Sequence, residues 1–111
     1  MKRIIAAAMG LALATGGVAL AQSGVPNASV AIASYTFAPP TLTVPAGTTV
    51  RFRNDDPDPH TVTADDGSWD SGGLEAGNTF QHTFAKPGTY TYACALHPWM
   101  RGTVVVTGRR S

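Results

Sequence analysis

Hydrophobic and polar residues alternate in short runs along most of the chain, and proline or glycine separates one run from the next. From residue 28 to 37 the alternation predicts one strand, which carries Val30 and Ile32 on one face and Tyr35 and Phe37 on the other. Pro39 ends this strand. Further runs of this kind cover residues 41–44, 48–54, 61–64, 79–85, 89–94 and 102–107. Apolar residues do not recur at helical spacing over a useful length, so the pattern predicts strands only.

The number and spacing of these runs indicate the fold class. About seven or eight short strands with turns between them are typical of an antiparallel sandwich. The sequence therefore predicts an all-β protein, a Greek-key antiparallel β-sandwich of seven to eight strands. The segment 65–78 is rich in glycine and aspartate and is expected to be irregular.

The first residues follow a different pattern. Lys2 and Arg3 precede an apolar run over residues 4–20, and this run ends on an A-x-A pattern at residues 19–21. These features predict a secretory signal peptide, residues 1–21, that is cleaved after Ala21. The alternative is an uncleaved membrane anchor, although the run is near the lower length limit for spanning a bilayer. We expect residues 22–111 to form a single exported domain in the periplasm.

Composition and charge exclude several classes of protein. The chain has 111 residues, which is one domain at most. Removal of Lys2 and Arg3 leaves a nearly neutral chain without a basic stripe, so no nucleic acid is expected as a partner. Beyond the first segment, no apolar run is long enough to cross a membrane, and we expect a monomer that is not membrane-embedded.

The cysteine content is unusual for a small exported domain, because such domains are usually stapled by disulfides. Cys94 is the only cysteine, so no internal bridge can form. A free thiol in an exported protein needs an explanation, and metal ligation is one. Taken alone, a cysteine at a strand end is more often a buried hydrophobe, and a methionine such as Met100 is usually core filler.

The segment 94–100 supplies the strongest chemical signal. It places Cys94, His97 and Met100 at three-residue spacing in a loop between two predicted strands, and His60 lies upstream at the start of another strand. Two imidazoles, one thiolate and a weak thioether are the ligands of a blue-copper electron-transfer site. Structural zinc sites do not use methionine, and iron–sulfur clusters need more than one cysteine. The residues therefore predict one type 1 copper ion and no enzymatic activity.

The third histidine, His82, alternates with Phe80 and Phe84 along a predicted strand. This places His82 on their face, as a core-edge or hydrogen-bonded histidine rather than a ligand. It would be the remaining candidate if His60 did not bind metal.

Two segments, residues 50–60 and 94–106, resemble the cupredoxins, and among these the amicyanins. The resemblance extends from about Tyr35 to Val106. The short C-x-x-H-x-x-M spacing is an amicyanin feature, because plastocyanins and pseudoazurins have more residues between the second histidine and the methionine. Trp99 stands where amicyanins commonly have phenylalanine, and the stretch between His60 and Cys94 is shorter.

The resemblance implies that His60, Cys94, His97 and Met100 are the copper ligands. It also implies that the Asn54 side chain ties the first ligand loop to the backbone beside Cys94, an outer contact of the kind that tunes metal sites.

The resemblance further implies a one-electron carrier that accepts electrons from a quinoprotein amine dehydrogenase and passes them to a c-type cytochrome. His97 would be the electron port, inside an apolar docking surface suited to brief encounters. That surface comprises Pro57, Pro59, Pro98 and Trp99.

Two alternatives belong to other functional classes. An exported copper-binding or copper-delivery protein could hold copper with the same ligands, but delivery sites tend to be exposed and rich in Met or His, and Met100 is the only methionine outside the predicted signal peptide. A small thiol enzyme could use Cys94 with a histidine, but no obvious oxyanion site accompanies it.

Overall fold

The computed structural model describes residues 26–108, and the regular elements within this range are all strands. The predicted signal peptide and its cleavage site lie outside the described residues. Within residues 26–108 no helix is long and apolar enough to cross a membrane. The eight strands are β1 (Ala28–Ala33), β2 (Thr36–Ala38), β3 (Thr41–Pro45), β4 (Thr48–Asn54), β5 (Thr63–Ala64), β6 (Thr79–Phe84), β7 (Gly88–Ala93) and β8 (Arg101–Thr107).

The strands form two four-stranded sheets, in the orders β2-β1-β4-β6 and β3-β8-β7-β5. The chain crosses between the sheets at each connection from β2 to β7. The predicted all-β sandwich is confirmed. The sheets are mixed rather than purely antiparallel, because β1 pairs parallel with β4 and β3 pairs parallel with β8. In each of these two pairs, strands that are distant in sequence run in the same direction.

The core lies between the sheets and follows the predicted alternation. In β4 the side chains of Val50 and Phe52 are buried and those of Arg51 and Arg53 are exposed. The fully buried ring of Tyr92 packs edge-on against Phe52 at 5.4 Å. These contacts give the loops at the end of the sandwich a rigid base.

The prediction of one strand over residues 28–37 was wrong. Ser34 and Tyr35 have positive φ angles of 52° and 59° and form a two-residue turn between β1 and β2, which pair antiparallel. The turn reverses the chain, so Ile32 and Phe37 face each other across the hairpin and are both buried. Turns of this kind usually carry Asn or Gly, because both central residues need positive φ. The sequence Ser-Tyr gave no such signal.

The segment 65–78 contains no strand, but it contributes two buried side chains, Trp69 and Leu74. The Trp69 ring stacks on His82 with centroids 4.7 Å apart. His82 is therefore half-buried at the edge of the core, beside buried Phe84, as its alternation predicted. Burial lowers the pKa of His82 below its ordinary value.

Three connections meet at one end of the sandwich. They are the turn at Ser34 and Tyr35, the loop over residues 55–62 after β4, and the loop over residues 94–100 between β7 and β8. Asp56 hydrogen-bonds to the turn, and His60 contacts His97. This end carries the candidate site.

Candidate metal centre

Two successive tight turns fold the loop over residues 94–100. The His97 amide donates to the Cys94 carbonyl at 3.3 Å, and the Met100 amide donates to the His97 carbonyl at 2.9 Å. Pro98 occupies the second position of the second turn, where proline is favoured because its φ is already set. The Cys94 amide closes the base of the loop by donating to the Met100 carbonyl. The three-residue spacing thus matches two consecutive turns, which carry Cys94, His97 and Met100 as their end residues.

The loop over residues 55–62 fixes His60. The backbone of His60 forms an isolated bridge with that of Leu74. The His60 amide donates to the Leu74 carbonyl at 3.1 Å, and the Leu74 amide donates to the His60 carbonyl at 2.7 Å. His60 is fully buried, as are Cys94 and, almost completely, Met100. A buried imidazole beside a buried thiol requires partners for its polar atoms, because unpaired polar groups are costly in the interior.

The structure brings three predicted ligand atoms together. The Cys94 Sγ atom lies 3.8 Å from His60 Nδ1 and 3.6 Å from His97 Nδ1, and the two Nδ1 atoms are 3.2 Å apart. Points with these separations lie on a circle of radius about 2.1 Å, which is a typical bond length from a first-row metal to protein nitrogen. The triangle therefore has the size of a trigonal metal site.

Asp56 determines which His60 nitrogen faces this triangle. The Asp56 carboxylate accepts from His60 Nε2 at 2.9 Å, and in the neutral imidazole with this hydrogen bond the lone pair is on Nδ1. A hydrogen bond at one ring nitrogen sets the metal-binding role of the other. Asp56 is itself buried and accepts from the amides of Ser34 and Tyr35 at 2.7 and 2.9 Å.

The predicted partner of Asn54 was wrong. The Asn54 Nδ2 group donates to the carbonyls of Asp58 and Leu74 at 2.8 and 2.9 Å, and its Oδ1 accepts from the Asp56 amide. The buried Asn54 side chain thus ties the loop over residues 55–62 together and links it to Leu74.

The link to the backbone beside Cys94 is made by Thr61 instead. The Thr61 hydroxyl accepts from the Ala95 amide at 2.7 Å. The Thr61 amide donates toward the Cys94 sulfur, 3.3 Å away. Thr61, which follows His60 in the chain, is therefore bonded twice to the loop that carries Cys94. The sequence signal that could have indicated this role is the position of Thr61 directly after His60.

The two histidines differ in exposure. His97 is half-buried, and its ring packs edge-on against Trp99 with centroids 5.3 Å apart. The predicted docking residues Pro57, Pro59, Pro98 and Trp99 are all exposed. Leu96, which no pattern in the sequence indicates as part of this surface, is also exposed. Leu96 and Trp99 are large apolar side chains with 53% and 69% of their surface accessible, and they lie on either side of His97 in the loop sequence.

The profile of the cupredoxin-like domain family matches residues 3–106, which is most of the chain. The chain belongs to the cupredoxin family. Amicyanin-alpha from Methylorubrum extorquens is 36% identical over 101 residues, which cover 86% of this chain and 85% of that protein. Amicyanin from Paracoccus denitrificans is 37% identical over 82 residues, which cover 69% of this chain and 63% of that protein.

The fold is also similar to that of solved cupredoxin structures. A purple cupredoxin from Nitrosopumilus maritimus matches with a TM-score of 0.68 and 34% identity, over 73% of this chain and all of that one. The predicted resemblance to cupredoxins, and to amicyanins among them, is confirmed. The two-histidine, cysteine and methionine donor set of this cupredoxin is that of a type 1 copper site, and the chain is a blue copper electron carrier.

Proposed function

We propose that this cupredoxin is a periplasmic one-electron carrier whose copper ion is bound by His60, Cys94, His97 and Met100. One observation carries the proposal, namely the triangle formed by the two Nδ1 atoms and the cysteine sulfur at the size of a trigonal metal site. Met100 completes the set as a buried residue at the end of the same loop. A weak axial thioether is the usual fourth ligand of such sites.

The role of the surrounding protein groups is to hold the ligand side chains in fixed positions. A bound copper ion would supply the one-electron couple between Cu(II) and Cu(I). Asp56 holds the His60 ring, and the Thr61 amide donates toward the Cys94 sulfur. Contacts of this kind orient the ligands and tune the metal they bind. A fixed donor set needs little rearrangement between the two oxidation states, which favours fast electron transfer.

Burial favours the carrier over the copper-delivery alternative. The His60 and Cys94 side chains are inaccessible to solvent, whereas a delivery site must expose its ligands to the recipient protein. Only His97, among the three residues of the triangle, is partly accessible.

We place the electron port at His97. The docking surface that we propose beside it comprises the exposed residues Pro57, Pro59, Leu96, Pro98 and Trp99 of the two ligand loops. An apolar patch of this kind is suited to a small, short-lived interface with another redox protein. A quinoprotein amine dehydrogenase as donor and a c-type cytochrome as acceptor are the partners that the likeness to amicyanins favours. We further propose that residues 1–21 direct export and that residues 22–111 act as a monomer.

The function is tested by protein-film voltammetry of the copper-loaded protein, together with stopped-flow mixing with a c-type cytochrome. The proposal predicts a reversible one-electron wave and rapid cytochrome oxidation or reduction. Cys94→Ser should abolish the wave while the fold is kept, because the thiolate is replaced by a poor copper ligand. Trp99→Ala should keep the wave but slow the exchange with the cytochrome. A copper-loaded protein without a reversible wave would exclude the carrier function.

A further inference from the structure

Tyr35 lies against both histidines of the site. Its ring centroid is 5.0 Å from that of His60 and 5.0 Å from that of His97, and the interplanar angles are 86° and 78°. The two imidazole centroids are also 5.0 Å apart. The three rings therefore form a closed triangle of edge-on contacts, a favourable geometry for aromatic pairs.

The backbone beneath this ring adopts an uncommon conformation. Ser34 and Tyr35 have φ angles of 52° and 59°, in a region that non-glycine residues seldom occupy. Residues persist there only when the surrounding structure over-determines them, and such positions cluster at functional sites. A hairpin turn needed for chain reversal alone would be better served by Asn-Gly.

Two carboxylates hold Tyr35 in this position. Asp56 accepts both turn amides, at 2.7 Å from Ser34 and 2.9 Å from Tyr35, and Asp58 accepts from the Tyr35 hydroxyl. The same Asp56 carboxylate accepts from His60 Nε2 at 2.9 Å. Asp56 is thus the shared hydrogen-bond acceptor of the Ser34–Tyr35 turn and of the His60 ring.

From these contacts we propose that Tyr35 is a positioning residue that holds the His60 and His97 imidazoles in their metal-binding orientation, including when no metal is bound. This inference rests on the proposed copper-binding function. His60 is already fixed by Asp56, so the main effect of Tyr35 is on His97, whose other ring contacts are to His60 and the exposed Trp99. A preorganised ligand loses less conformational freedom when it binds.

The test uses three variants. Tyr35→Gly removes the ring and suits the positive φ, so it avoids added backbone strain. Tyr35→Phe keeps the ring and removes only the hydroxyl bond to Asp58. Ser34→Gly is the matched backbone control, because it relaxes the neighbouring position and leaves all three rings in place.

Two measurements separate positioning from general stability. The first is NMR relaxation of the His97 ring in the metal-free protein, which reports its order directly. The second is copper affinity, by competition with a chromophoric chelator. The proposal predicts that Tyr35→Gly makes the His97 ring mobile and weakens copper binding roughly ten-fold, the effect of losing two aromatic contacts. Ser34→Gly should stay within about two-fold of the parent protein, since it removes no ring contact. Tyr35→Phe should fall between Ser34→Gly and Tyr35→Gly, because it keeps the ring and loses the hydroxyl bond to Asp58.

An ordered His97 ring and unchanged affinity in Tyr35→Gly would overturn the proposal. Equal losses in Tyr35→Gly and Ser34→Gly would also overturn it, because the turn rather than the ring would then be responsible. If the parent protein gave no thiolate-to-copper absorption, the copper function itself would fail. Ring order in the metal-free protein would still decide whether Tyr35 positions His97.

Discussion

The two loops that supply the candidate ligands are held in place by different interactions. The loop over residues 55–62 is fixed by buried hydrogen bonds through Asn54, Asp56 and the backbone bridge of His60. The loop over residues 94–100 is closed by two tight turns, and the His97 ring within it is held largely by other rings. The first loop is the rigid, hydrogen-bonded half of the site, and it carries the fully buried His60. The second half carries His97, the partly accessible histidine, which in our proposal lies nearest the redox partner.

The hydrogen-bonded half should be the most sensitive to substitution. Asp56→Ala would leave two turn amides and the His60 Nε2–H group without their acceptor. We expect the free energy of unfolding of the metal-free protein to fall by about 3 kcal/mol, since a buried carboxylate that accepts three hydrogen bonds, one of them from the buried His60, is lost. Urea denaturation followed by tryptophan fluorescence measures this change.

Asp55→Ala is the matched control for Asp56→Ala. Asp55 is in the same loop, but it is exposed and pairs with Arg53 on the surface. Exposed pairs contribute about 0–1 kcal/mol, so this variant should be nearly neutral. Similar losses for Asp55→Ala and Asp56→Ala would contradict the rigid-half description.

The second half depends on tight packing at the base of its loop. Gly102 of β8 pairs with Tyr92 of β7, and a Cβ at residue 102 would lie 2.3 Å from the Tyr92 ring. Because Tyr92 is fully buried, its ring cannot swing aside. We expect Gly102→Ala to cost about 2 kcal/mol of unfolding free energy through overpacking.

Gly73→Ala provides the comparison for Gly102→Ala, since a Cβ at residue 73 would meet no atom within 4 Å. It should change the unfolding free energy by less than about 0.5 kcal/mol. An equally mild Gly102→Ala variant would show that the base of the loop is looser than described.

Thr61 joins the two halves, and its removal should have a smaller effect. Thr61→Val deletes the hydroxyl that accepts from the Ala95 amide at 2.7 Å and that also hydrogen-bonds to the Thr63 hydroxyl at 2.8 Å. We expect a loss of about 1.5 kcal/mol of unfolding free energy, since two hydrogen bonds are removed. Thr61→Ser keeps the hydroxyl and should recover most of it. If thermal unfolding shows valine and serine to be equivalent, the halves are not coupled through this bond.

The smallest effect concerns His82, which lies in neither ligand loop. Burial lowers its pKa in the folded state, so the unfolded chain binds a proton more readily. The stability contribution is therefore complete above the ordinary histidine pKa of 6.5 and declines as the pH falls below it. His82→Gln should show a smaller drop in Tm between pH 8 and pH 5 than the parent protein. An unchanged drop would assign the acid sensitivity to other groups.

The sequence predicted those parts of the site that depend on local spacing. The three-residue steps from Cys94 to Met100 match two consecutive turns, and His60 follows the Pro-rich loop after a strand. The alternation in β4 correctly predicted that Val50 and Phe52 are buried and that Arg51 and Arg53 are exposed.

Contacts between residues that are distant in sequence were not predictable in this way. In the sequence, nothing distinguishes Asp56 from the other carboxylates of its loop, because only folding brings it to the turn amides. Tyr35 reads as an alternating strand residue because Ser-Tyr is an atypical positive-φ pair. Trp69 lies in a segment of glycine and aspartate, where periodicity gives no sign of burial.

The central claim, that two histidines and a cysteine bind one copper ion, is tested most directly by a visible and electron paramagnetic resonance spectrum of the protein with one equivalent of Cu(II). The account predicts an intense thiolate-to-copper absorption band, bleached reversibly by ascorbate, with narrow copper hyperfine splitting. A pale solution with wide hyperfine splitting would contradict it, because copper would then be bound without the Cys94 thiolate.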